Sequence, residues 1–297
     1  MTINRAHQTH LNSAHNLNRR TFLAAAIAVP SLAAILAACG SDKKASGSGI
    51  QHADSKDDVV VRIGYEGGFT PPSYQFIRIP TLLITGDGRV ISQGAQIEIY
   101  PGPLLPTLQE RSINEAGIQK VLAFADASKL LQPVPSYEAP MNIADAPDTV
   151  VTITVNAQTY EHRAYALGID TPETSPARVA LAAFVEAMGD ITKIAGAENL
   201  GTDKVLVADS YRIQARSMTV EDLAGYEAPE QPSPQIVAWP SGTGVTLASA
   251  TKCAEVSASK VDAVLKAATQ LTFFSEDGTT YQVAAVAKLA GDMCGAA

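Results

Sequence analysis

Histidine is scarce in this chain: there are 5 in 297 residues, and beyond residue 38 only His52 and His162 remain. A two-histidine metal motif cannot be built from the second half of the chain, which removes the usual zinc sites. Basic charge is also short. Lys and Arg number 22 against 30 acids, a formal net charge of −8. Phosphate-backbone binding needs a basic footprint, so no nucleic acid is expected as a partner, and no polybasic grip on anionic lipid either. Aromatics make up 6% and tryptophan occurs once, as Trp239. Also missing are a Gly-x-Ser-x-Gly elbow, a phosphate-cradling glycine loop and the acid spacing of a calcium loop. No cofactor motif is present, and no cofactor is expected. Ser257-Ala258-Ser259-Lys260 has Ser-x-x-Lys spacing, yet no Lys-Thr-Gly strand follows it, so the serines fit helix capping better than acyl transfer.

Long apolar runs are missing too, with one exception. Residues 22 to 38 are apolar or small apart from Ser31, and they follow a segment with Arg5, Arg19 and Arg20 and no acid. A positive region before a short apolar one is the layout of an export signal. A run this weakly hydrophobic is at the lower limit for crossing a ~30 Å hydrocarbon core. The paired arginines before Thr21-Phe22-Leu23 resemble a twin-arginine signal, the class that exports folded proteins; Asn18 and Ala24 depart from that pattern. The general secretory route stays open. Arg19, Arg20, Phe22 and Leu23 are the residues that carry the resemblance.

Leu36-Ala37-Ala38-Cys39 resembles the lipobox of bacterial lipoproteins. That resemblance implies cleavage before Cys39 and acylation, palmitate included, of its sulfur. Two or more acyl chains make membrane attachment stable. The implied location is the extracytoplasmic face of the cell membrane, lipid-anchored without spanning. The expected organisation is a signal peptide over 1–38, a lipidated flexible tether over 39–58 and an α+β domain over 59–297, with possible lobes at about 59–200 and 201–297. The tether is Ser, Gly, Lys and Asp with little to bury, and as a coil it reaches roughly 25 Å.

Cys253 and Cys294 remain once Cys39 is assigned. An even number in a chain bound for an oxidising compartment points to a disulfide that staples the tail to the last sheet. Two free buried thiols are the alternative.

Alternation and turn signals give the fold class. Val59 to Tyr65 is β-rich, and a second strand is expected from about Tyr74 to Ile79. Gly86-Asp87-Gly88 and Ala157-Gln158 mark hairpins. Ser112 with Glu115 has capping-box spacing, ahead of Ile118, Val121, Leu122 and Ala125 at helical period. Ser175-Pro176 opens a second helix with Val179, Ala180, Ala183, Phe184 and Ala187 as its expected buried face. Val205 to Arg216 reads as a further strand. The last unit is a strand, a helix over about 260 to 268 and a hairpin at Asp277-Gly278. The pattern gives largely antiparallel sheets built from hairpins with helices packed on one face, and a possible internal hairpin-helix duplication.

Tyr65, Phe69, Tyr74 and Phe76 interleave with glycines and Pro71-Pro72, which suits either a binding loop or core packing. The stretch from Tyr65 through Pro72, the Gly86-Asp87-Gly88-Arg89 hairpin, the Tyr100-Pro101-Gly102-Pro103 turn and the paired late cysteines resemble a group of secreted and lipid-anchored actinobacterial proteins. The resemblance implies a compartment and a domain type but no activity. The expected function is therefore that of a cell-envelope binding or interaction protein without catalysis, its partner an envelope protein or small ligand. The competing expectation is an envelope hydrolase working through carboxylates, the only abundant reactive side chains.

Overall fold

The computed structural model describes residues 49–138, 143–169, 173, 175–227 and 232–294. The twin-arginine residues Arg19, Arg20, Phe22 and Leu23 and the lipobox Leu36, Ala37, Ala38 and Cys39 lie outside the described residues. The described residues form one compact unit.

The fold is α+β, with two mostly antiparallel sheets and helices alongside. The first sheet has strands β1 (Val59–Gly67), β2 (Leu82–Thr85), β3 (Arg89–Gln93), β4 (Leu108–Ser112), β5 (Pro147–Val155), β6 (Gln158–Tyr165) and β7 (Lys204–Val205), in the order β6-β5-β1-β2-β3-β4-β7. The second contains β8 (Ser210–Met218), β9 (Gln235–Ala238), β10 (Ala254–Ser257), β11 (Thr272–Glu276) and β12 (Thr279–Ala287), ordered β10-β8-β12-β11-β9. Only the β9–β11 pair among these is parallel.

Two cores explain the layering. One face of the first sheet packs on helices α2 (Glu115–Ala127), α3 (Pro176–Met188) and α4 (Ile191–Ala195). Phe184 of α3 is fully buried there, its ring 5.4 Å from that of Phe124, a burial contributing about 2–3 kcal/mol. The other face, through Leu83, Ile91 and Leu108, shares a core with the second sheet and with α5 (Ala258–Ala267). That is why all four residues of β2 are buried: Leu82 and Ile84 face the helices and Leu83 faces the second sheet. A strand covered on both faces reads as a continuous apolar run.

Several local expectations needed revision. Tyr74 to Ile79 is no strand; α1 (Pro72–Phe76) is a single helical turn with Pro in its first turn, where the missing N–H is no loss. Ser112 ends β4, and the cap of α2 is Asn114, whose side chain accepts from the Gly117 N–H. In α3 the buried residues are Arg178, Leu181, Phe184 and Met188, while Val179 is 46% exposed. The face is rotated because Arg178 turns inward. Its guanidinium binds Glu173, itself nearly buried, and donates to the Tyr165 carbonyl at 3.0 Å. The turn of the β5–β6 hairpin falls at Asn156-Ala157, both with positive φ, one residue earlier than its expected position. Within the expected tether, Ile50 already exchanges hydrogen bonds with the Gln119 side chain, and His52 lies 3.0 Å from Glu115. These contacts exist because α2 presents polar side chains on its outer face.

Candidate functional site

The second sheet covers β2, β3 and β4 but leaves the β1-β5-β6 half of the same face open. Facing residues there form rows across the three strands: Arg62, Thr152 and Glu161, then Gly64, Val150 and Arg163, then Glu66, Asp148 and Tyr165. This polar floor is the base of a cleft of about 700 Å³. Its other walls come from α1 and the segment to Pro80, from Arg212 of β8, and from Gly291 to Met293 of the tail.

Three arginines line the cleft. Arg62 donates from Nη1 to the Ala290 carbonyl and from Nη2 to Asp292 Oδ1, both at 2.8 Å. Arg212 brings Nη2 to 3.3 Å from Asp292 Oδ2 and lays its guanidinium 5.5 Å from the centre of the Phe76 ring, a cation–π contact. Arg78 donates from Nη2 to Thr70 Oγ1 at 3.1 Å. Arg78 Nη1 and Arg212 Nε are buried and have no hydrogen-bond partner within the protein. Guanidinium groups stay charged at any physiological pH. A buried donor left unsatisfied costs about 1–3 kcal/mol, more for a charged group. With Asp292 as counter-charge, the three arginines leave this wall positive.

The tail is held in place tightly. Gly291 has φ +80°, and a Cβ there would come within 2.8 Å of Val59. Two residues beyond Asp292, Cys294 is bonded to Cys253, the pairing expected from the sequence, with the Cα atoms 5.3 Å apart.

Opposite lies an acidic group. Arg163 Nη2 donates to Glu66 at 2.7 Å and to Glu161 at 3.3 Å, and Nη1 donates to Asp148 at 3.3 Å. Glu66 beside it keeps the guanidinium still more firmly protonated. Three carboxylates meet one cation, so this side is negative.

A smaller pocket of about 410 Å³ lies on the helix side, floored by Ile63, Leu82, Val90 and Met188. Its one arginine, Arg111, is already paired with Asp203 at 3.7 Å.

Other candidates resolve structurally. His162 is fully buried; its Nε2 lies 2.9 Å from the Leu130 carbonyl and its Nδ1 2.7 Å from the Tyr137 hydroxyl. Burial lowers its pKa. Trp239 is a core anchor, donating to the Val245 carbonyl and meeting Phe274 edge-on. Tyr65, Phe69 and Tyr74 are exposed, at 44%, 87% and 60%, and the segment that carries them, from the end of β1 into α1, borders the cleft. Every carboxyl with a displaced titration among the described residues is held below its usual range, Glu173 by Arg178 and Asp262 by Lys266 among them. A general acid near neutral pH needs the opposite shift. Among the described residues no His, Cys, Asp or Glu cluster could hold a metal ion, and no helix is long and apolar enough to cross a membrane.

The sequence motifs did not point to Arg62, Arg78, Arg212 or Asp292. The one signal was Arg62 inside the apolar run Val59 to Ile63, a charge where strand alternation requires a solvated or paired face. No family model matches the sequence, and neither a curated protein nor a solved structure is similar to it.

Proposed function

We propose that this chain is a lipid-anchored protein of the extracytoplasmic membrane face that binds an anionic ligand in the arginine cleft. The observation that carries the ligand is the convergence of Arg62, Arg78 and Arg212 on one open cleft, where Asp292 is the carboxylate paired with two of them. A carboxylate or phosphate supplies the lone pairs and the negative charge that complement this arginine-lined wall. The cleft volume falls within the range of small-molecule sites, about 300–1,000 Å³. Support for the location comes from the sequence: the twin-arginine-like run, the lipobox ending at Cys39, and a cysteine pair suited to export. Hydrolysis through paired carboxylates draws no support from acids held below their usual range.

Calorimetric titration of residues 40–297 with inorganic phosphate and with acetate tests the cleft. Binding that Arg78→Gln and Arg212→Gln each weaken at least tenfold supports it; no binding, or binding indifferent to both changes, overturns it. Cys39→Ala tests the anchor. An unprocessed precursor, or release from the membrane fraction, is expected, and normal anchoring would refute the lipobox.

A further inference from the structure

We infer that the ligand of this cleft is a zwitterion of peptide length, its anionic end on Arg78 and Arg212 and its ammonium on Glu66 and Glu161; this rests on the anion-binding function proposed above. Glu66 and Glu161 both line the cleft. They converge on a single nitrogen of Arg163, yet their side chains remain 57% and 53% exposed. A carboxylate has about four acceptor sites, and one shared donor leaves most of them open. An ammonium with three donors is the complementary group.

Spacing sets the length. Glu161 lies across two strand intervals from Arg62, and neighbouring strands are about 4.8 Å apart, so the backbones are separated by roughly 10 Å. Arg212 meets Arg62 through Asp292. A free amino acid is too short to touch both walls. An extended tripeptide, at about 3.3–3.6 Å per residue, reaches roughly 10 Å. Between the walls the floor is Gly64, Val150 and Thr152, whose small side chains let an extended molecule lie flat across the strands.

The test is calorimetric titration of residues 40–297 with trialanine, N-acetyl-trialanine, trialanine amide and inorganic phosphate. Trialanine is expected to bind at least tenfold more tightly than either blocked form. In the Glu66→Gln/Glu161→Gln variant the preference over N-acetyl-trialanine should fall toward one. Glu161→Gln alone should reduce it in the same direction, should the double variant fold poorly. Equal affinity for trialanine and N-acetyl-trialanine, with phosphate still bound, overturns the zwitterion and leaves the anion site standing. Equal affinity for trialanine and its amide removes the anionic end from the arginines. Failure of every probe, phosphate included, overturns both proposals.

Discussion

Asp292 Oδ1 accepts a 2.8 Å hydrogen bond from Arg62 Nη2, joining the C-terminal tail to the first strand. The carboxylate is only 6% exposed, and its second oxygen faces Arg212 and accepts from the Leu289 N–H at 3.1 Å. Asp292 therefore both holds the tail and partly neutralises the cleft. The two roles predict opposite effects of one substitution. Asp292→Asn should lower stability by about 3 kcal/mol, since one partner of a largely buried pair is removed. It should also strengthen phosphate binding, because a negative charge beside two arginines is gone. Urea unfolding and titration at fixed ionic strength read the two effects separately. Stability and affinity falling together would show that Asp292 organises the arginines and does not compete with the ligand.

The Cys253–Cys294 bond acts on the same tail. It closes a loop with a sequence separation of 41, for which the chain-entropy model gives about 4 kcal/mol. Cys253→Ser/Cys294→Ser should lose roughly that much, measured against the oxidised protein in urea. Since Cys294 is two residues from Asp292, the double serine variant should also bind phosphate differently from the parent at temperatures where both remain folded. Unchanged affinity would mean that Gly291 and the Asp292 pairs suffice to seat the tail.

Local chemistry made the elements legible in sequence, and the cleft was not local. Asp277 and Gly278 both take positive φ in the β11–β12 turn, as an Asp-Gly hairpin requires. Ile118, Val121, Leu122 and Ala125 all face the core, as their spacing dictates. The α3 face was misjudged because counting apolar residues cannot anticipate an arginine turned inward by an acid five residues before it. Tyr74 to Phe76 looked strand-like by composition, but Pro72 favours a helical turn there. The cleft depends on pairing order: Arg62, Arg78, Arg212 and Asp292 come from separate stretches, and only the open half of the first sheet and the covering second sheet bring them together. No spacing rule in a single sequence encodes which strands lie side by side.

His162 gives a pH dependence whose sign can be worked out. The Leu130 carbonyl can only accept, so Nε2 carries the proton and donates to it, and Nδ1 accepts from the Tyr137 hydroxyl. That is a neutral imidazole with both nitrogens satisfied. Burial lowers its pKa below the ordinary 6.5, against a smaller raising effect of the Leu130 bond. Burial also pushes the Tyr137 hydroxyl up to about 12, so it stays a donor across the neutral range. With the folded value depressed, the unfolded chain takes up the proton first as the pH falls. The stabilisation is therefore complete above about 6.5 and is lost progressively as the pH drops toward the folded value, by at most about 1.4 kcal/mol per pH unit for one proton. Carboxylates held low by their partners, such as Glu173 beside Arg178, add their own losses only nearer the ordinary carboxylate range, about 4. The window from about 6.5 to 5 thus belongs largely to His162. Urea midpoints of residues 40–297 at pH 7, 6 and 5 should fall steadily, and in His162→Gln that slope should flatten although the variant is less stable at pH 7. An undiminished slope in the variant would place the titrating group elsewhere.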